Sequence, residues 1–128
     1  MYRWMVLIDG SNQYPLSDIE REVTVTHAPA WDEKSRTISG GLARVAGPIK
    51  RRWQIRWNLL SDEPVDGGVG RATLESLAND ATTVYTLRVY SSETNYQDYQ
   101  VIIIGYEASP VSMMRREIWS VTMELEEV

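Results

Sequence analysis

Hydrophobic and polar side chains alternate most cleanly between Ile49 and Leu59, where the chain reads I-K-R-R-W-Q-I-R-W-N-L. Ile49, Trp53, Ile55, Trp57 and Leu59 share one parity, broken only by Arg51, while Lys50, Arg52, Gln54, Arg56 and Asn58 take the other. Successive side chains of a strand point to opposite faces, so this spacing predicts a strand with an apolar face and a cationic polar face. The same period returns over residues 117–128, with Trp119, Val121, Met123 and Leu125 expected inside and Thr122, Glu124 and Glu126 in water. Residues 19–27 alternate too, with Val23 and Val25 on one side and Glu20, Glu22, Thr24 and Thr26 on the other. Residues 2–8 alternate weakly and end at D-G-S-N, a turn signal, after which residues 14–18 with Pro15 read as a connector. Residues 83–90 make a further strand. Residues 96–106 are apolar on both parities through 101–104, which predicts a central strand covered on both faces, with a bulge at Gly105.

One stretch carries a helical period. Within residues 71–80, Leu74, Leu77 and Ala78 fall at i, i+3 and i+4, a single helix face. A helix this short is marginal alone and must dock on the sheet. The expected fold is mainly β, an antiparallel β-sandwich or barrel of about six strands with one short flanking α-helix.

Residues 28–48 break the pattern. They hold Pro29, Gly40, Gly41, Gly47 and Pro48 among charged residues, and no period is sustained. A segment of about 20 residues without its own element is uncommon in a compact domain and is commonly functional. We expect an extended assembly loop or arm that orders against a neighbouring subunit, with Trp31, Lys34 and Arg36 as candidate interface residues. The alternative is a mobile hairpin with no partner.

Composition narrows the class. The 128 residues fit a single domain, 1–128, able to bury a core without staples. A net charge of -5 argues against a sequence-specific nucleic-acid binder, which usually has a basic excess. The absence of cysteine excludes disulfides, thiolate catalysis and thiolate-metal sites. Apolar runs such as 101–104 are far below the roughly 18–20 residues that span a bilayer, and no leader pattern opens the chain. We therefore expect no membrane insertion, and use in the cytoplasm or in a particle assembled there. Five Trp and seven Tyr with no Phe favour surfaces buried only in part or on assembly. Trp53, Trp57 and Trp119 are expected in the core because each sits in an alternating strand.

Candidate chemistry is sparse. His27 is the only histidine, so no His-based metal cluster can form. G-G-L-A-R-V-A-G and D-G-G-V-G-R are glycine-rich but match neither a phosphate loop nor a dinucleotide fingerprint. Glu126 and Glu127 point to opposite faces of a strand and make a poor acid-base pair. Lys50, Arg51 and Arg52 form the one basic run, and with Arg56 they suit ion pairs to a neighbouring subunit or a solvated face. Eleven arginines against two lysines favour planar, bidentate pairs of the kind used at interfaces. No catalytic, cofactor or metal site is expected, and no enzyme.

The segments W-Q-I-R-W-N-L-L-S-D-E, T-L-E-S-L-A, Y-T-L-R-V, Y-Q-V-I-I-I-G-Y and W-S-V-T-M-E-L-E-E-V run in that order through residues 49–128. In element order and aromatic placement this part of the chain resembles small tail proteins of long-tailed bacteriophages, the tail-tube and distal-tail proteins. The resemblance implies a non-enzymatic virion protein, assembled in the host cytoplasm, that closes into a homo-oligomeric ring, a hexamer being favoured, around the DNA channel. Its implied partners are the tail tube, the tape measure and the tail-tip hub, with no cofactor. Two other classes remain open: a tail-completion or head–tail connector ring, which has more helix, and a monomeric β-domain that binds a host protein.

Overall fold

The computed structural model describes residues 5–18, 20–29, 32–36, 42–46, 49–64, 67–80, 82–111 and 118–128. In order they form β1 (Met5–Asp9), β2 (Asn12–Pro15), β3 (Arg21–Pro29), β4 (Asp32–Arg36), β5 (Leu42–Ala46), β6 (Ile49–Ser61), α1 (Arg71–Ala78), β7 (Tyr85–Tyr90), β8 (Tyr96–Pro110) and β9 (Ile118–Glu127). One seven-stranded sheet runs β2-β1-β7-β8-β9-β6-β3, antiparallel at every joint, and β4 pairs with β5 as a separate hairpin.

The connection between the two edge strands dictates the shape. β2 and β3 lie at opposite edges yet only residues 16–20 join them. A flat sheet of this width would hold its edges about 29 Å apart, at about 4.8 Å per strand. The six steps from Pro15 to Arg21 reach at most roughly 21 Å when fully extended. The sheet must therefore roll. Glu20 turns the chain within this short link at a left-handed φ of 52°. Among the described residues no ladder joins β2 to β3, so the roll is an open sandwich rather than a closed barrel.

Rolling puts one face of β1, β6, β7, β8 and β9 into a common interior. Trp53, Ile55 and Trp57 of β6 meet Val121, Met123 and Leu125 of β9, Val101 and Ile103 of β8, Tyr85 and Leu87 of β7, and Met5 and Leu7 of β1. The expected core thus holds for Trp53, Trp57, Ile55, Val121 and Met123. Leu74 and Leu77 of α1 are buried in the same cluster, on the face that the helical spacing marks. Gly70 precedes the helix because a Cβ there would collide with the Asp62 carbonyl.

Several expectations change. Residues 12–15, taken for turn and connector, form β2, whose four residues are too few to show a period. Trp119 is only partly buried and packs on the rim of the core. Val23 and Val25 lie level with Ile55 and Trp53 yet stay 39% and 46% exposed, because β3 is the outermost strand. β8 is central but covered on one face only: Val101 and Ile103 are buried, whereas Ile104 is 39% exposed. The expected irregularity at Gly105 is present as a register shift between Ile103 and Gly105. Residues 28–48, read as irregular, contain the β4–β5 hairpin, whose mixed charges hide any apolar period.

Candidate assembly surface

Strands β6, β9 and β8 form a wall with one face in the core and the other in solvent, and β3 extends it as an exposed edge strand. On the solvent face, Thr26, Arg52 and Glu126 stand in one row, Thr24, Gln54 and Glu124 in the next, and Glu22, Arg56 and Thr122 in a third. Arg52 pairs with Glu126 at 3.5 Å, and the Gln54 side-chain amide donates to Glu124 at 3.4 Å. These contacts are exposed, so each adds at most about 1 kcal/mol. They set signs side by side rather than grouping them.

Arg51 interrupts the apolar parity for a reason visible at the end of the core. Its guanidinium pairs with Glu127 at 3.3 Å and lies 5.0 Å from the Tyr99 ring, and Tyr99 in turn packs 5.0 Å from Trp53. A cation over aromatic rings closes the core without burying a bare charge. Glu126 and Glu127 do point to opposite faces, each taking a different arginine.

The wall has two open sides. β3 is nine residues long and, among the described residues, pairs only with β6. On the other side, the first six of the fifteen residues of β8 pair with β7, which leaves the nine of 102–110, among the described residues, with β9 as their one strand partner. By contrast the β2 edge is short, ends at Pro15 and is bridged by Val69, whose N–H donates to the Pro15 carbonyl at 2.8 Å. Short, proline-ended and covered edges resist pairing, whereas long open ones are templates for it. Among the described residues of the seven-stranded sheet, the β3 and β8 sides are the ones suited to another chain.

The β4–β5 hairpin continues the ladder of that wall in register. Pairing runs from Arg21 with Trp57 through Pro29 with Ile49, then from Asp32 with Ala46 to Arg36 with Leu42, with no residue gained or lost on either side. The two ladders thus keep one register, β4 and β5 forming a two-stranded sheet of their own. β9 stops beside β6 at Arg52, opposite Glu126. A two-stranded ribbon is marginal by itself.

The expected interface residues divide accordingly. Arg51 and Arg52 already make ion pairs within the subunit, and Arg56 stands on the exposed face level with Glu22 and Thr122. Lys34 and Arg36 occupy β4, opposite Arg44 and Leu42 in register. Trp31 lies outside the described residues. The open β3 and β8 edges were not singled out from the sequence, since edge position is a property of the whole sheet order. His27 sits opposite Arg51 in the ladder and is exposed. Among the described residues no group of three potential ligands could hold a metal ion, and no helix is long and apolar enough to cross a membrane.

At the foot of the wall, Arg71 opens α1 and holds both Asp62 and Glu75, while its guanidinium stacks 4.2 Å from the Trp119 ring. The hydrogen bonds to these two carboxylates raise its pKa above the usual arginine value.

No family model matches the chain, and no curated protein sequence matches it. Solved structures do share its fold. One is a chain of the "Tail of empty GTA particle computed with helical refinement, C6 symmetry", similar at a TM-score of 0.57 and 11% identity over 98% of this chain and 90% of that one. Another is a chain of the "Virion of native gene transfer agent (GTA) particle", at a TM-score of 0.50 and 10% identity over 98% of this chain and 91% of that one. At such identity the likeness is one of fold, and it spans nearly the whole chain. The resemblance to small tail proteins, drawn from strand order and aromatic placement in residues 49–128, holds at that level and extends to the N-terminal third.

Proposed function

We propose that this protein is a structural subunit of a phage-like tail, a tail-tube-like component that closes into a ring around the DNA channel and stacks with other tail proteins. The observation that carries this reading is the four-stranded wall with two open sides of equal length. A ring needs two different surfaces that meet head to tail and close by rotation. β3 runs opposite to β6, β6 to β9 and β9 to β8, so β3 also runs opposite to β8. Rotation about an axis along the strands would bring β3 of one subunit antiparallel to residues 102–110 of the next. The sheet would then continue from subunit to subunit by main-chain hydrogen bonds.

With the six-fold symmetry of the neighbouring GTA tail, four strands per subunit give a barrel of about 24 strands. At about 4.8 Å per strand its backbone would be about 37 Å across, and wider with strand tilt. The solvent face of the wall then lines the channel. It carries Glu22, Glu107, Glu124 and Glu126 against Lys50, Arg52 and Arg56, four negative and three positive charges, a net of -1. A nearly neutral, internally paired lining lets a polyanion slide without capture.

The helical treatment of the neighbouring tail favours a repeated tube ring over a single distal ring at the tip. A head–tail connector is less supported, because the described residues hold one helix of eight residues. Residues 28–48 serve as the arm that reaches a neighbouring subunit, and the protein resides in the virion without catalytic activity. Negative-stain microscopy and sedimentation of the purified chain test the reading: rings or tubes support it. A monomer at all concentrations, with no association with a tape-measure or tail-tip protein, overturns it in favour of a monomeric β-domain that binds a host protein.

A further inference from the structure

The two open edges carry matching hydrogen-bonding groups. In an antiparallel ladder, residues bonded to one neighbour alternate with residues whose N–H and C=O point the other way. The Asn58 N–H donates to the Glu20 carbonyl, so Glu22, Thr24 and Thr26 bond to β6. Arg21, Val23, Val25 and His27 then direct their backbone groups away from the sheet. On the other side the Val111 N–H donates to the Ile118 carbonyl, so Glu107 and Ser109 bond to β9. Tyr106, Ala108 and Pro110 therefore direct theirs outward. Val23 and Val25 stand level with Ile55 and Trp53, and Tyr106 and Ala108 with Met123 and Val121. The outward groups of both edges thus belong to residues of the core-side face. A wall of four strands needs this match if a second copy is to extend it with its core side facing the same way.

A groove marks one level of the β8 edge. Ala78 and Asn79, at the end of α1, stand across a space of about 320 Å³ from Ile103, Ile104, Gly105 and Tyr106. It lies where the register shift between Ile103 and Gly105 bends the strand. Four alignments of β3 place an outward-bonding residue opposite Tyr106. Arg21 there would carry Ala108 past the start of β3. Val23 there would set Glu22 directly opposite Glu107, and opposed like charges destabilise a pair. His27 there would press an imidazole against mostly apolar walls, where a polar group loses its water. Val25 there sets Val23 opposite Ala108, Thr24 opposite Glu107 and Glu22 opposite Ser109, so that a hydroxyl meets each carboxylate. Pro110, which has no N–H to give, then falls opposite Arg21, where β3 begins.

We infer that β3 of a second copy seats on the β8 edge with Val25 opposite Tyr106 and Val23 opposite Ala108, Val25 covering the groove beside α1. The contact rests on the tail reading, which pairs the two strands, and adds the register that joins them. It covers two valines that the subunit alone leaves exposed. A slip of two residues in either direction meets the opposed glutamates or the histidine at the groove, so wrong alignments are penalised as well as the right one favoured.

Disulfide trapping at successive positions reads the register. Thr24→Cys with Glu107→Cys puts two thiols at a directly opposed pair that exchanges no backbone hydrogen bond, where side chains approach most closely. Glu22→Cys with Glu107→Cys, and Thr26→Cys with Glu107→Cys, report the alignments two residues to either side. All four positions are exposed, so each variant is expected to keep the wild-type melting temperature. After mild oxidation of assembled rings, the Thr24 pair should give covalent oligomers on a non-reducing gel and the other two monomer. Oligomers from a flanking pair at or above the yield of the Thr24 pair overturn the inference and leave the shared sheet standing. Ordered rings that give monomer in all three variants overturn the register and the shared sheet together. A wild-type chain that forms no rings overturns the tail reading as well.

Discussion

Trp57 donates its indole N–H to the backbone carbonyl of Ser17 at 2.7 Å, across the open side of the rolled sheet. Ser17 lies just beyond β2 at one edge, and Trp57 lies in β6, one strand in from the other. Arg21 reinforces the same joint by donating to the carbonyls of Leu16 and Ser17 at 3.2 and 3.3 Å, and the Asn58 N–H donates to the Glu20 carbonyl at 3.1 Å. The largest fully buried side chain is also the clasp that holds the roll shut.

Trp57→Phe should keep most of the apolar volume and lose the clasp. The Ser17 carbonyl keeps its longer bond from Arg21, so the loss should be that of one hydrogen bond, about 0.5–1.5 kcal/mol. Trp57→Ala should lose more, about 3–5 kcal/mol, because a cavity is added. Urea unfolding of the two variants checks both numbers. A Phe variant with an unchanged midpoint would mean that the link between β2 and β3 is held by other contacts.

High pH should loosen the fold through Tyr85 and Tyr106. Burial raises the pKa of both phenols above the ordinary 10.0, and the Tyr85 hydroxyl donates to the Leu77 carbonyl at 3.3 Å. Below pH 10 both phenols are protonated, folded or unfolded, and their contribution is intact. Above it the unfolded chain ionises first, so stability falls as pH rises toward the folded-state values. Melting temperatures between pH 8 and 11 should fall for the wild type and fall less for Tyr85→Phe with Tyr106→Phe, over a range of about 3 pH units centred near the ordinary tyrosine pKa.

Val25→Lys places a charge on the open edge strand at a position already 46% exposed. The isolated subunit should change by no more than about 0.5 kcal/mol. Assembly should be lost, since a lysine on an edge strand opposes pairing with another chain. Light scattering on the folded variant reads the difference. Rings of normal size would remove β3 from the contact.

Deleting residues 34–41 shortens the ribbon beyond the last sheet strand that flanks it. Subunit melting should hardly move, and ordered assemblies should fail to form, because the entropy of ordering the arm is offset only by the partner surface. Calorimetry paired with electron microscopy separates the cases. A large loss of subunit stability would place the segment within the subunit's own fold.

Legibility in the sequence followed burial. Where one face of a strand fills the core, as at Trp53, Ile55 and Trp57 or at Val121, Met123 and Leu125, alternation marks both the strand and its inner face. Leu74 and Leu77 mark the helix in the same way. The period fails where the chain has no core to face. Among the described residues Asp32–Arg36 and Leu42–Ala46 pair only with each other, in the register that β3 keeps with β6. Val23 and Val25 show the converse, an apolar parity that stays exposed on the edge strand. Of the proposed assembly surface the sequence offered only the arm, because the open edges of β3 and β8 depend on sheet order that no single segment encodes.

The central claim is that β3 of one subunit lies along residues 102–110 of the next, and disulfide trapping tests it most directly. The chain has no native cysteine, so each introduced pair reports alone. Thr24→Cys on β3 can be combined in turn with Ile102→Cys, Glu107→Cys and Ser109→Cys, which share the solvent face of β8. After assembly and mild oxidation, at least one combination is expected to give a ladder of covalent oligomers ending at the ring size on a non-reducing gel, reversed by reductant. Ordered rings that yield only monomer in all three combinations would contradict the shared sheet.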